Sequence, residues 1–380
     1  MRSIYVNEDL EDIRMSVRRF VESEIIPNVE QWEADRAIPR TVLTRLAGLG
    51  FFGLRVPEEY GGLGLGHIAS VVLAEELGRC TAGGAAITVL VHTDLATPYL
   101  TNFGSVEQKS KWLSSCVSGE VLTAIAVTEP DAGSDVAAMR TSARHDGDSW
   151  VINGTKMFIT NGAIADLVFV AARTDPDAKG SRGISMFAVE KGTKGFAASR
   201  ALNKMGWHSS NTAELVLDEV RVPDTHLIGD ENRGFYYIMT NFQNERLAIM
   251  GAAIGECQKA IDLTIDYVKA RQAFGGALWN KQAVRQKIAM RQAEVDAGRE
   301  LIYKTAWMLD QGADAVREVS EIKALVGELS NRVLYDCVQL HGGMGYVAET
   351  AIERMYRDVR INSIGGGATE VMLDEVAKRL

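Results

Sequence analysis

Near the N-terminus, apolar side chains recur at Leu10, Ile13, Val17, Phe20, Val21 and Ile25, ahead of Pro27. Spacings of three and four put them on one stripe of a helix with a single buried face, so the chain opens helical. Further helical stretches are expected at 42–49, 69–77 and 107–118, with a Gly-rich loop at 60–66 between the first two. The period then changes. Residues 123–128 alternate small and apolar side chains, and 167–172, 184–189 and 213–222 are short β-rich runs bounded by Gly, Pro and Asp. Trp150-Val151-Ile152 and Met157-Phe158-Ile159 flank Asn153-Gly154, the strongest short signal for a tight turn, which predicts a hairpin there. No proline lies beyond Pro223, so the commonest helix breaker is missing from the rest of the chain. Helices are expected at 235–271, 281–309, 319–340, 350–360 and 369–380, the first about 50 Å long. The pattern predicts a mostly α protein with a central β domain: an N-terminal α-helical domain (1–120), a middle β domain (121–230) and a C-terminal helical bundle (231–380).

Composition narrows the possible functions. With 380 residues, 46% of them hydrophobic, there is material for more than one core. A net charge of -9 argues against a nucleic-acid partner, which needs clustered Lys and Arg. It leaves an anionic small ligand open, because a few local cations and helix N-termini suffice to hold one. Cys80, Cys116, Cys257 and Cys337 are scattered and the six histidines are dispersed, so neither a disulfide framework nor a metal site is expected. A reducing compartment fits that usage. Glu8, Asp9, Glu11, Asp12, Glu22 and Glu24 are wrong for a signal or transit peptide, and no apolar run approaches the ~18 residues of a membrane span. A cytoplasmic protein with no membrane span is expected.

Gly343-Met344-Gly345-Tyr346-Val347-Ala348 fits the dinucleotide pattern G-x-G-x-x-A, but it follows a predicted helix instead of a strand. A cofactor in this chain would therefore have to be held between domains.

Several motifs point to one family. They are Val56-Pro57-Glu58-Glu59-Tyr60-Gly61-Gly62; Thr128-Glu129-Pro130-Asp131-Ala132-Gly133-Ser134-Asp135; Ile152-Asn153-Gly154-Thr155-Lys156 with Ile159-Thr160-Asn161-Gly162; Arg271-Gln272-Ala273-Phe274-Gly275; and Gln339-Leu340-His341-Gly342-Gly343-Met344-Gly345-Tyr346. In this order and spacing the chain resembles the acyl-CoA dehydrogenase family over essentially its whole length. The resemblance implies an α, β, α three-domain fold assembled as a homotetramer, a dimer of dimers. It also implies FAD, with the isoalloxazine ring between the β domain and the bundle and the ADP half reaching a neighbouring subunit. Acyl-CoA would be the substrate and an electron-transfer flavoprotein the electron acceptor.

By the same resemblance, Ile125, Val127, Thr128, Gly133 and Ser134 wall the flavin's pyrimidine edge and phosphate, with Ser134 also near substrate. Phe158, Ile159 and Thr160 follow on the neighbouring strand, the Thr160 hydroxyl donating to flavin N5, where it would stabilise the developing charge. Arg271, with Phe274 beside it, matches the arginine that pairs with the pyrophosphate. Gln282, Gln339, Gly342 and Gly343 match positions that hold the ADP half, and Thr369 and Glu370 lie beside the flavin. Taken singly, each is an ordinary strand, turn or surface residue; the set carries the reading.

Dehydrogenation needs a carboxylate to take the α-proton. Many family members carry it in a Tyr-Glu-Gly-Thr loop, where this chain has Ile364-Gly365-Gly366-Gly367-Ala368-Thr369-Glu370, with Gly366 at the glutamate position. Gln243-Asn244-Glu245-Arg246-Leu247 instead resembles the isovaleryl-CoA and long-chain branches, in which the long bundle helix supplies the base, here Glu245. Desolvation would raise its pKa toward neutrality. The resemblance also places Tyr236, Asn244, Arg246, Gly366 and Gly367 at the substrate, with the Gly366 N–H free for the thioester carbonyl and Arg246 directed to CoA or a structural carboxylate. Acyl length, a carrier-protein thioester, oxidation by O2 and a non-catalytic subunit all stay open.

Overall fold

A computed structural model describes residues 4–178 and 180–380. The N-terminal part contains α1 (Glu8–Phe20), α2 (Val29–Asp35), α3 (Arg40–Gly48), α4 (His67–Gly78), α5 (Gly83–Leu90), α6 (Thr97–Phe103) and α7 (Val106–Ser118). Local chemistry sets several of these boundaries. Asn7 Oδ1 accepts the Leu10 N–H at 2.9 Å to start α1, whose first turn carries Glu8, Asp9 and Glu11. Ser105 and Gln108 form a reciprocal capping box on α7, and Gly119, at φ 77°, ends it.

The middle of the chain is an eight-stranded sheet in the order β6-β7-β3-β2-β4-β5-β8, with β1 parallel to β4. The strands are β1 (Thr123–Ala126), β2 (Ser142–Asp146), β3 (Ser149–Thr160), β4 (Leu167–Arg173), β5 (Ile184–Glu190), β6 (Phe196–Ala201), β7 (Thr212–Pro223) and β8 (Leu227–Ile228). Alternation sorts the faces. Phe169, Ala171, Met186 and Ala188 pack with Tyr99, Trp112 and Ile238 of the helices, while Val168, Val170, Phe187 and Val189 pack with Leu215 and Leu217 inside the sheet.

The hairpin expected at Asn153-Gly154 does not form. β3 runs unbroken from Ser149 to Thr160, and the tight connection is the one between β2 and β3, where Asp146 pairs with Ser149 across Gly147 at φ 72°. Asn153-Gly154 marks a register shift against β7. Its polar side chain is used sideways: Asn153 Nδ2 donates to Glu219 Oε1 at 2.7 Å and Asn153 Oδ1 accepts the Glu219 N–H at 2.8 Å. At Gly154 a Cβ would press on the Thr141 Cα at 2.8 Å, so the glycine serves close approach and a bulge.

The C-terminal part holds α8 (Gly234–Ala270), α9 (Gln282–Asp310), α10 (Val316–His341), α11 (Ala351–Val359) and α12 (Thr369–Ala377). α8, 37 residues long, is the axis of the molecule. It meets α4 through glycines, since a Cβ at Gly78 or Gly255 would collide with the carbonyl of Ala252 or Glu75 on the other helix. Asp358 of α11 ties the parts together by accepting the Gly83 N–H at 2.9 Å and the Trp207 N–H at 2.6 Å.

Candidate active site

The first turns of α8 form one wall of a cleft of about 820 Å3. Ser134, Tyr236, Asn244 and Arg246, four of the expected substrate residues, all line it, with Met372 and Glu375 contributed by α12. Asn244 is buried; its Nδ2 donates to the Asp94 carbonyl at 2.8 Å, and its Oδ1 finds no donor among the described residues.

Glu245 follows on the same helix and is 8% exposed. Its surroundings explain the two sequence positions considered for the base. A Cβ built at Gly366 would stand 3.5 Å from Glu245 Oε1 and 3.3 Å from Ile249 Cδ1. The glycine loop therefore folds onto α8 so that the α8 carboxylate takes the space beside Gly366. Gly366 lies at φ 69° and Gly367 at φ 119°, conformations that favour glycine. The Gly366 N–H meets no acceptor among the described residues.

Burial lifts the Glu245 carboxyl from its ordinary 4.5 to about 7, against the opposing pull of Arg246 and Lys323. Arg246 reaches no carboxylate within ion-pair distance among the described residues: its Nε donates to the Gly366 carbonyl at 3.0 Å, and its guanidinium lies over the Phe242 ring at 5.3 Å.

The expected flavin residues fall into two groups. Those of the sheet lie where β1 and β3 end, and the Met157 N–H donates to the Thr128 carbonyl at 2.8 Å to join the two ends. Phe158 is 66% exposed at φ 61°, turned outward by a register shift between Lys156 and Ile159. Ile125 and Thr160 are half-buried, Val127 and Ile159 buried, Gly133 exposed. The second group gathers at the far end of α8. Arg271 caps that helix; Phe274, 89% exposed at φ 53°, follows it. Gln282 opens α9, Gln339 lies in the last turn of α10 and Gly342 and Gly343 follow it, held near Arg271 by a 3.0 Å hydrogen bond from the Tyr267 hydroxyl to the His341 carbonyl. Arg271 is 26 residues beyond Glu245 on α8, about 39 Å along the axis. The second group thus lies far along α8 from Glu245. Thr369 is half-buried with its hydroxyl donated to Glu328 Oε1 at 2.7 Å, and Glu370 is exposed in the first turn of α12.

Family models described as the acyl-CoA dehydrogenase N-terminal, middle and C-terminal domains match residues 7–120, 124–220 and 232–380. The chain belongs to the acyl-CoA dehydrogenase family. The long-chain specific acyl-CoA dehydrogenase of Mus musculus mitochondria is 38% identical over 100% of this chain and 88% of its own length. The mitochondrial isovaleryl-CoA dehydrogenase of Pongo abelii is 34% identical over 96% of this chain and 87% of its own length. The crystal structure of an acyl-CoA dehydrogenase from Geobacillus kaustophilus matches with a TM-score of 0.95 and 41% identity, covering 100% of this chain and 99% of that one. This acyl-CoA dehydrogenase is accordingly an oxidoreductase of a FAD-dependent family with the three-domain fold.

The residues present fit FAD. A Cβ at Gly133, Gly275, Gly342 or Gly343 would meet no atom within 4 Å, leaving open backbone at both expected contact regions, each beside an exposed aromatic, Phe158 or Phe274. No helix among the described residues is long and apolar enough to cross a membrane.

Two features of this dehydrogenase escaped the sequence reading. Lys156 is wholly buried and donates to Glu129 Oε1 at 2.8 Å and to the Val127 carbonyl at 3.1 Å. Glu129 also accepts the Arg140 N–H at 2.6 Å and the Thr141 N–H at 2.9 Å, which fixes the turn that carries Gly133 and Ser134. The second is Lys323 of α10, beneath the glycine loop. Its only sequence signal is a lone cation in the run Ile322-Lys323-Ala324-Leu325-Val326.

Proposed function

We propose that the chain converts a saturated acyl-CoA to the trans-2-enoyl-CoA, with Glu245 as the catalytic base. The observation that carries this is the Glu245 carboxyl, buried against Gly366 and lifted to about 7. A base with that pKa is partly ionised at neutral pH and strong enough to take an acidified α-proton. The free Gly366 N–H would donate to the thioester carbonyl, lowering the barrier to removing that proton. FAD, when bound, supplies the acceptor for the hydride that leaves Cβ. Ser134, Tyr236, Asn244, Arg246 and Gly367 would shape the substrate cleft; Ile125, Val127, Thr128, Gly133, Phe158, Ile159, Thr160, Thr369 and Glu370 would face the flavin.

The proposal includes a homotetramer, a dimer of dimers. Arg271, Phe274, Gln282, Gln339, Gly342 and Gly343 sit too far along α8 to serve the flavin beside their own Glu245, so a second copy of the chain would use them. An electron-transfer flavoprotein is the proposed acceptor. A cytoplasmic location accords with four cysteines buried as free thiols.

Purified protein should be yellow, and a saturated acyl-CoA should bleach it without oxygen. Glu245→Gln should keep its FAD and lose the bleaching by about 10^3-fold, within the range of general-base catalysis. Fast bleaching in that variant would remove Glu245 from the mechanism. A panel of short, branched and long acyl-CoAs identifies the substrate.

A further inference from the structure

Lys323 has no exposed surface, although it sits in the middle of α10 among the buried side chains Ile322, Ala324 and Val326. An ammonium in such a place is costly unless its protons find acceptors. Lys323 Nζ donates to the Asn362 carbonyl at 2.6 Å and to the Gly367 carbonyl at 2.9 Å. Those two carbonyls bracket the stretch that carries Gly366. From the other side Arg246 Nε holds the carbonyl of Gly366 itself. The loop is therefore clamped between two cations from different helices.

Gly366 is also where the clamp meets the carboxylate. The point a Gly366 Cβ would occupy is 3.5 Å from Glu245 Oε1 and 3.8 Å from Lys323 Cε. The lysine approaches the carboxylate across a glycine that puts nothing between them.

We propose that Lys323 is the positioning residue of the base: it fixes the glycine loop over Glu245 and adds to Arg246 the charge that helps this carboxylate ionise inside an apolar niche. The inference rests on Glu245 being the base. The charged and titratable groups facing the pair are Arg246 on α8, Tyr99 on α6 and Glu328 on α10, with Glu375 of α12 acting on Arg246. Of the two cations, Arg246 pulls on the Glu245 carboxyl more strongly and Lys323 adds to it from α10. Burial lowers the Lys323 ammonium to about 8, so it is charged over the acidic part of the range in which Glu245 titrates.

The test is flavin reduction against pH in the FAD-loaded enzyme at saturating acyl-CoA. Lys323→Met keeps the apolar stem and removes the charge; its acidic limb should move up by about one pH unit. The rate at pH 7 should then fall about five-fold and return toward wild type by pH 9. Lys323→Gln, which can still hydrogen-bond the loop carbonyls, provides a second charge-free variant should the first fail to fold, and Lys323→Arg should restore the limb. An unmoved limb, or a loss equal at every pH, overturns the proposal and leaves Lys323 as packing. Glu245→Gln, measured alongside, separates the two ideas. If it still reduces flavin quickly, the base assignment fails; if it is inactive while the limb of Lys323→Met stays put, only the role of Lys323 fails.

Discussion

The two ends of α8 are built on opposite terms. At Glu245 the surroundings are closed: the loop at Gly366 leaves little room for a side chain beside the carboxylate, Lys323 and Arg246 clamp that loop, and Glu245 is 8% exposed. At Arg271 the surroundings are open, with Phe274 89% and Tyr346 90% exposed and bare backbone at Gly342 and Gly343. A residue whose environment is complete within one chain has its chemistry tuned by burial. A residue left open depends for its role on another molecule. Changes at the first end should therefore appear in rates, pH profiles and stability, and changes at the second in cofactor affinity and assembly.

After the loss of bleaching in Glu245→Gln, the largest effect should come from the buried pair that braces the flavin-side turn. Removing one partner of such a pair leaves an uncompensated charge. Lys156→Met should cost about 3–5 kcal/mol in denaturant unfolding, whereas Arg271→Ala should leave the stability of the FAD-free chain unchanged. Equal losses from the two would erase the contrast between closed and open ends.

Next is the stability of Glu245→Gln itself. The fold raises this carboxyl from 4.5 to about 7, so it favours the protonated form. The stability that this preference contributes is fully present below pH 4.5 and lost as the pH rises through about 7. Glutamine has no charge to bury, so the variant should gain on wild type with rising pH, by on the order of 3 kcal/mol at pH 8 and by nothing near pH 4. A stability difference that stays flat with pH would show that the niche does not oppose ionisation.

A smaller effect is expected at the open end. Arg271→Ala should weaken FAD binding about 10–100-fold, the worth of one charge-assisted hydrogen-bonded contact, with the acidic limb of flavin reduction unmoved. Equilibrium dialysis and the pH profile together check this, and a moved limb would couple the two ends. Phe274→Ser should be the mildest for the fold, within ~0.5 kcal/mol of wild type as for other exposed positions. Its consequence belongs in sedimentation, as a weaker tetramer; an unchanged assembly would place Phe274 outside the subunit interface.

Much of this was legible beforehand. The stripe from Leu10 to Ile25, the strand runs and the proline-free second half gave the order of helices and strands, because periodicity reflects which face is buried. Glu245 was found through its motif, and Gly366 through what it lacks. The Asn153-Gly154 signal misled because the same dipeptide suits a tight turn and a bulge. Which of the two forms depended on β7, whose Glu219 takes both groups of the Asn153 amide. Lys156 and Lys323 were missed because a lysine's sequence neighbours do not reveal its acceptors. Those of Lys156 are at Val127 and Glu129, and those of Lys323 at Asn362 and Gly367.

The sequence by itself determined the family and the helical and strand regions, since these follow from residue type and local order, and the motif around Glu245 singled out that carboxylate as the proposed base. Only the tertiary structure decided what that carboxylate can do. Its pKa depends on desolvation beneath the glycine loop and, beyond the neighbouring Arg246, on the Lys323 cation brought in from α10. Both are long-range quantities that exist only once segments far apart in the chain have packed against one another.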